Sequence, residues 1–282
     1  MTNPPSPASR KRDQRSRLHK QIEPTESAAT PRELEAIAVD VSTHAADVVR
    51  RSLGHARIVG TKTTPTDVVT ATDLDVENFI RQALLARTPG ASITGEEHDT
   101  LIGHTTIEWV IDPIDGTVNF LYDLPAVAVS IAAKVNGAVI AGAVADVVRA
   151  EIFSAAAGQG ARRNGHEIYP SSVTILADAL VTTGFAYLAE HRAQEAEVFK
   201  RVLPNARDIR CFGSAALHLS WVACGRVDAF YERGLNEWDV AAGALLATEA
   251  GAHLEPASPN NGDVVMAASA GIFEQLRNLV VG

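Results

Sequence analysis

Asp112 and Asp115 stand three residues apart around Pro113, directly after the apolar run Trp109-Val110-Ile111, and Gly116-Thr117 follow at once. Proline cannot extend a strand ladder or a regular helix interior, so the chain is expected to turn there with both carboxylates at a strand exit. Two anions held that close repel unless a cation sits between them or one takes up a proton. The Gly-Thr step adds free backbone N–H groups, a setting suited to an anion. A cation site beside an anion site points to metal-assisted chemistry on a phosphate.

Three further acidic clusters fall at junctions between predicted elements: Asp67-Val-Val-Thr-Ala-Thr-Asp73, Gly95-Glu96-Glu97 and Glu237-Trp238-Asp239. Carboxylates from separate segments give a hard divalent cation such as Mg²⁺ its oxygen ligands, and leave positions for water and phosphate oxygens. The nine histidines include no HExxH, and no Cys/His pair stands at ligand spacing, so nothing points to zinc.

The elements that must position these residues are legible as periodicities. Thr30-Pro31-Arg32-Glu33 reads as a capping box opening a helix over about 31–52, with Leu34, Ile37, Val41, Ala45 and Val48 on one face. A loop and a short extended piece, Val68-Val69-Thr70, precede a second helix over about 73–87, apolar at Val76, Phe79, Ile80 and Leu84. From 107 to 157 the pattern is β. The run holding Val127, Val129, Ile131 and Val135 stops at Asn136-Gly137, a two-residue hairpin signal, and resumes over 138–148. A strand over 151–156 and a turn at Asn164-Gly165 complete an antiparallel meander. The second half alternates: strands over 179–183, 207–211, 227–231 and 264–268, helices over 190–202, 214–224, 238–250 and 271–280. That alternation predicts a sheet layered with helices.

At 282 residues, 46% hydrophobic and 21% charged, the composition is that of a globular protein with a substantial core. No apolar run is long enough to span a membrane and no signal-peptide pattern is present. Cys211 and Cys224 lack CxxC spacing, as expected of reduced thiols in a cytoplasmic protein. The formal charge of −9 is uneven. Residues 1–30 hold six basic residues and three acids, a net of +3, and the remainder carries −12. An acidic body disfavours nonspecific nucleic-acid binding and suits a protein that gathers divalent cations. Residues 1–29, rich in Pro, Ser and charge, read as a disordered basic tail, the one segment suited to nucleic acid.

The acidic clusters taken together resemble the inositol monophosphatase family of Mg²⁺-dependent, lithium-sensitive phosphatases, over about residues 33–280. WVIDPIDGTVNF (109–120) is similar to the family's first signature and WDVAAGALLATEAG (238–251) to its second, with DVVTATD (67–73) and GEE (95–97) upstream in the expected order. The resemblance implies a mixed α/β (α+β) fold, a layered αβαβα sandwich of the sugar-phosphatase type. One domain would occupy 30–282, with an α+β half over about 30–170 built on an antiparallel sheet and an α/β half over about 171–282. It also implies a homodimer, no membrane association, and two or three Mg²⁺ per site.

Carried onto this chain, the resemblance assigns Glu96, Asp112 and the main-chain carbonyl of Ile114 to one metal, Asp112, Asp115 and Asp239 to a second, and Glu96 through water to a third. Asp73 and Thr117 orient the attacking water, and the N–H groups of Gly116 and Thr117 receive phosphate. Asp115, Ala215, Glu232 and Asp239 meet the substrate. Two departures stand out: Val118 replaces a frequent threonine, and Asn236-Glu237 replaces a more varied His/Cys-type pair. The implied reaction is hydrolysis of myo-inositol 1-phosphate. Fructose-1,6-bisphosphate, adenosine 3′,5′-bisphosphate and histidinol phosphate are alternatives, as is an added role binding RNA or the transcription machinery.

Other polar residues carry ordinary structural readings. Asp67 caps a turn, Glu97 is a solvated neighbour of Glu96, and Lys62 either lies near the metals or, as isolated lysines usually do, faces solvent. Trp238 is a packing anchor that fixes the rotamer of Asp239. Asp228 pins a strand end, and His218 and Cys224 belong to core or interface.

Overall fold

The computed structural model describes residues 29–62, 64–255 and 263–282, so the basic tail lies outside the described residues apart from Ala29. In chain order the elements are α1 (Pro31–Arg51), β1 (Ile58–Thr61), β2 (Val68–Thr70), α2 (Ala71–Arg87), β3 (Ser92–Gly95), β4 (Ile107–Asp115), α3 (Thr117–Leu121), β5 (Ala128–Val135), β6 (Ala138–Asp146), β7 (Glu151–Ala156), β8 (Ala161–Arg163), β9 (His166–Glu167), β10 (Leu180–Thr183), α4 (Ala189–Val202), β11 (Asp208–Arg210), α5 (Ala215–Ala223), β12 (Ala229–Arg233), α6 (Glu237–Ala250), β13 (His253–Glu255), β14 (Val264–Ala268) and α7 (Phe273–Val280).

Strands β3 to β9 form a seven-stranded sheet in sequence order, antiparallel except for the parallel pair β3–β4. A second, five-stranded sheet runs β11-β10-β12-β14-β13, with β10 parallel to both neighbours and β14 antiparallel to both of its own. Helices α1 and α2 cover one face of the first sheet, α5 and α6 lie between the sheets, and α4 and α7 pack together on the outer face of the second. This is the αβαβα layering.

Strand β5 shows how the sequence builds two interfaces at once. Val129, Ile131 and Ala133 enter the core beneath α1, while Ala128 and Ala132 enter the core beneath α6. Alternation along a strand sends successive side chains to opposite faces. Small residues on the α6 side let that helix come close: a Cβ at Gly142 of β6 would sit 3.1 Å from Ala242. At the hairpin, Asn136 and Gly137 both have positive φ (52° and 82°), the geometry of the expected two-residue turn.

Three expectations need correction. The buried face of α1 runs through Leu34, Ala38, Val41, Ala45 and Val49, and Ile37 and Val48 are half-buried on its shoulder, to one side of the row that the helical period places against the sheet. Phe79 of α2 is exposed, while Val76, Ile80 and Leu84 are fully buried. Pro113 does not turn the chain. The β4 ladder continues to Asp115 through a bulge between Asp112 and Asp115, which excludes the proline from the hydrogen-bonding register. The turn falls instead at Gly116, whose φ of 96° and a carbonyl only 2.8 Å from where a Cβ would stand both require glycine. No described helix is long and apolar enough to cross a membrane.

Candidate active site

The carboxylates of Asp112, Asp115 and Asp239 converge at the β4 bulge, with one oxygen of each within 4.8 Å of the others. Two belong to the first half of the chain and one to the second, so the site lies on the seam between the two sheets. Asp112 is 1% exposed and Asp115 8%. Burial, reinforced by Glu96, Asp115 and Asp239, pushes Asp112 well above the usual carboxylate range. Burial together with Glu96 and Asp115 does the same to Asp239. Burial lifts Asp115 to about 6, against the opposing pull of hydrogen bonds from Ser214 and the α5 backbone.

Three aspartates around the site, Asp73, Asp115 and Asp239, are each tethered to a helix N-terminus. Thr70 caps α2, and its backbone N–H donates to Asp73 Oδ2 at 2.9 Å, with the Thr70 hydroxyl donating to the same oxygen. Asn236 caps α6, and its N–H donates to Asp239 Oδ2 at 2.6 Å. Asp115 Oδ2 accepts from Ser214 Oγ at 2.6 Å and from Ala216 N at 2.7 Å, at the start of α5. Helix N-termini carry partial positive charge and unpaired N–H groups, which lower the cost of crowding anions. In all three residues the tether engages Oδ2. The other oxygen of Asp73 meets Thr117, whose hydroxyl lies 3.3 Å from Asp73 Oδ1 and 3.1 Å from the Ile114 carbonyl.

Asp112 is held differently, by the Ile114 N–H donating to its Oδ1 at 3.0 Å across the bulge. Glu96 reaches the triad from the end of β3. Burial raises its carboxyl too, against the pull of Lys62, and Glu96 in turn raises Asp112. A proton is one answer to this crowding of anions; a divalent cation answers it for all the carboxylates at once. The donors are oxygens throughout, and their spacing and burial fit a hard ion such as Mg²⁺.

Residues 30–279 match the model of the inositol monophosphatase family. The chain belongs to the inositol monophosphatase family. It is 43% identical to the inositol-1-monophosphatase SuhB of Mycobacterium tuberculosis, over 87% of this chain and 92% of that protein. The solved structure of Mycobacterium tuberculosis SuhB superposes with a TM-score of 0.78 at 41% identity, covering 89% of this chain and 97% of that one. The Nus factor SuhB of Escherichia coli is 41% identical over 66% of this chain and 70% of its own length. The protein is thus a phosphatase of this family, and its fold is that of the solved relatives.

Of the residues the family resemblance singles out, the structure gathers Asp73, Glu96, Asp112, Ile114, Asp115, Gly116, Thr117 and Asp239 around the bulge. Ala215 is the first residue of α5 and its N–H is directed at Asp115. Glu232, on β12, packs its carboxyl against Gly184, where a side chain would overlap it. Burial, then Asp239 and Asp115, raise it well above its ordinary range.

Glu97 departs from its sequence reading, and Lys62 takes the less usual of its two, beside the site carboxylates rather than in solvent. Lys62 Nζ bridges Glu96 (2.7 Å) and Glu97 (2.6 Å), and the Glu97 side chain is 2% exposed. Burial opposes the ammonium charge, but the two glutamates hold Lys62 protonated. Burial lifts Glu97 to about 7. A lysine and a glutamate 35 residues apart carry no mutual signal in sequence. Glu237 turns away to Lys134 at 2.8 Å and takes no part in the carboxylate cluster. The rotamer of Asp239 is set by its bond to Asn236, while Trp238 packs into the core between the sheets. Asp228 accepts the Leu180 N–H at 2.6 Å, pinning a strand end as expected. His218 is fully buried.

Proposed function

We propose that the protein hydrolyses a phosphate monoester, with myo-inositol 1-phosphate as its preferred substrate, using two or three Mg²⁺ ions held by Glu96, Asp112, Asp115, Asp239 and the Ile114 carbonyl. The convergence of Asp112, Asp115 and Asp239 carries this reading. When bound, Mg²⁺ supplies a water of lowered pKa and neutralises charge that develops on the leaving oxygen. The chain's own residues do the positioning. Asp73 and Thr117, 3.3 Å apart, orient the attacking water and take its proton as the new O–P bond forms. The ester P–O bond breaks on the opposite side, the alkoxide takes a proton from solvent water to leave as the neutral polyol, and Asp73 returns its proton to solvent.

The N–H groups of the left-handed Gly116 and of Thr117 after it receive the phosphate. Ala215 and Glu232 meet the ring hydroxyls, together with Asp115 and Asp239, so residues of β12 and the α5 entry decide which polyol fits. The halves 30–170 and 171–282 act as one catalytic unit, because each supplies part of the site. In the same reading the enzyme is cytoplasmic, dimeric and lithium-sensitive. Phosphate release from myo-inositol 1-phosphate, fructose-1,6-bisphosphate, adenosine 3′,5′-bisphosphate and histidinol phosphate at saturating Mg²⁺ tests the assignment. The inositol ester should lead in kcat/KM, and a lower rank would reassign the substrate.

A second role, binding RNA or the transcription machinery, is favoured by one observation: the likeness to the Nus factor of Escherichia coli. The net charge of +3 on residues 1–30 fits it. Pull-down of RNA and polymerase with the full chain and with a chain lacking residues 1–29 tests it, and equal binding would remove the tail from the account.

A further inference from the structure

The turn that carries Glu96 is clamped from beneath by a carboxylate outside the metal site. Glu77, one turn along α2 from Asp73, is fully buried. Its Oε2 accepts the backbone N–H of Glu97 at 2.8 Å, and its Oε1 lies 3.2 Å from His98 Nδ1. On the helix side Arg81 Nε donates to Glu77 Oε1 at 2.7 Å, while Arg81 Nη2 donates to the His98 carbonyl at 3.1 Å. Residues 97 and 98 are therefore bound to the Glu77–Arg81 pair through both backbone and side chain. At Gly95 a Cβ would overlap the Glu77 carboxyl, so the loop descends onto the helix only because that residue is glycine. Lys62 holds the turn from the opposite side through Glu96 and Glu97.

A buried carboxylate is costly unless its lone pairs are used. Here all its partners belong either to its own helix or to the turn that presents Glu96. The same helix starts just before Asp73, behind the Thr70 cap, so Glu77 sets the position of Glu96 relative to Asp73. We infer that Glu77, with Arg81, is a positioning residue for the metal centre: it fixes where Glu96 stands and thereby tunes divalent-cation affinity without touching metal or substrate. The inference rests on the reading of Glu96 as a metal ligand.

The test is Mn²⁺ binding measured by calorimetry on the metal-stripped full chain, beside the Mg²⁺ dependence of phosphate release. Partners that orient a ligand typically change metal affinity about 10- to 100-fold when altered. Glu77→Gln keeps the volume but sets a second donor against Arg81. It should raise the Mn²⁺ Kd about tenfold and raise the Mg²⁺ needed for half-maximal rate, while kcat at saturating Mg²⁺ and the substrate KM stay near those of the parent. Glu96→Gln, measured in parallel, should lose at least as much affinity.

Parent-like Mn²⁺ binding by Glu77→Gln beside an impaired Glu96→Gln would overturn the inference and leave the reading of Glu96 intact. Parent-like binding by Glu96→Gln would overturn the reading itself. Should Glu77→Gln fail to fold, Arg81→Met removes the clamp's far side and carries the test: weakened Mn²⁺ binding supports the inference, and an unchanged Kd overturns it.

Discussion

Ser214 Oγ donates to Asp115 Oδ2 at 2.6 Å, joining residues 99 apart in sequence and the two halves of the chain at the edge of the metal site. The same hydroxyl caps α5 by accepting from Leu217 N at 3.3 Å. Removing it in Ser214→Ala should cost about 1 kcal/mol of stability, the usual loss for an N-cap. It should also weaken Mg²⁺ binding, because Asp115 loses a donor that favours its charged form. Ser214→Thr should restore both. Denaturant midpoints and Mg²⁺ calorimetry on the two variants check this.

Asp112→Asn should abolish Mg²⁺-dependent phosphate release while leaving the fold intact. Asp112 is the most crowded anion of the site and is tied to no helix terminus, so its neutral isostere relieves repulsion from Glu96, Asp115 and Asp239. The metal-free variant should therefore melt at or above the parent's temperature. Near-parental turnover would contradict the assignment, and a lower melting temperature would contradict the account of repulsion.

The metal-free protein should lose stability as pH rises. Asp115 is lifted to about 6, and Asp112 and Asp239 are shifted upward with it. Unfolded aspartates titrate near 4 (about 3.9), so between about 4 and 6 the native state binds more protons than the unfolded one. Stability is then full below that window and falls as pH climbs through it. Mg²⁺ should reverse the slope by binding the deprotonated form, adding about 2.7 kcal/mol at 100 times its Kd. Urea midpoints from pH 4 to 8, with EDTA or with Mg²⁺, read both effects.

Lys62→Met should destabilise the metal-free protein by about 1–3 kcal/mol, the range for leaving buried partners unpaired. Glu96 and Glu97 would then face each other without the ammonium that bridges them. Added Mg²⁺ should recover part of the loss, since a cation returns to Glu96. Equal midpoints for parent and variant in EDTA would show that the bridge contributes nothing.

What could be read from the sequence follows the range of the interactions involved. The Asn136-Gly137 hairpin and the α1 capping box are local and appear where expected. The short strands β1, β3 and β13 carry no such signal: β3 is Ser-Ile-Thr-Gly, and its identity as a strand comes from lying parallel to β4. Pro113 misled for a related reason, because a bulge can take a proline that a regular ladder cannot. Within the site, the clustered carboxylates Asp112, Asp115 and Asp239 lie in recognisable motifs, whereas the Lys62 bridge and the Glu77 clamp leave no trace in the sequence. Glu77 and Arg81, four apart on a helix, look like any solvated surface pair until Gly95 lies over them.

The tethering of Asp73, Asp115 and Asp239 to three helix starts bears on how the enzyme can be disarmed. A substitution at Asp73 or Asp239 removes a helix cap along with a site group, so lost activity there would be entangled with lost folding. Asp112 is free of that double duty. For trapping an intact substrate on an inactive enzyme, it is the position of choice, and a screen reading activity alone would rank all four aspartates alike while only one of them reports on chemistry by itself.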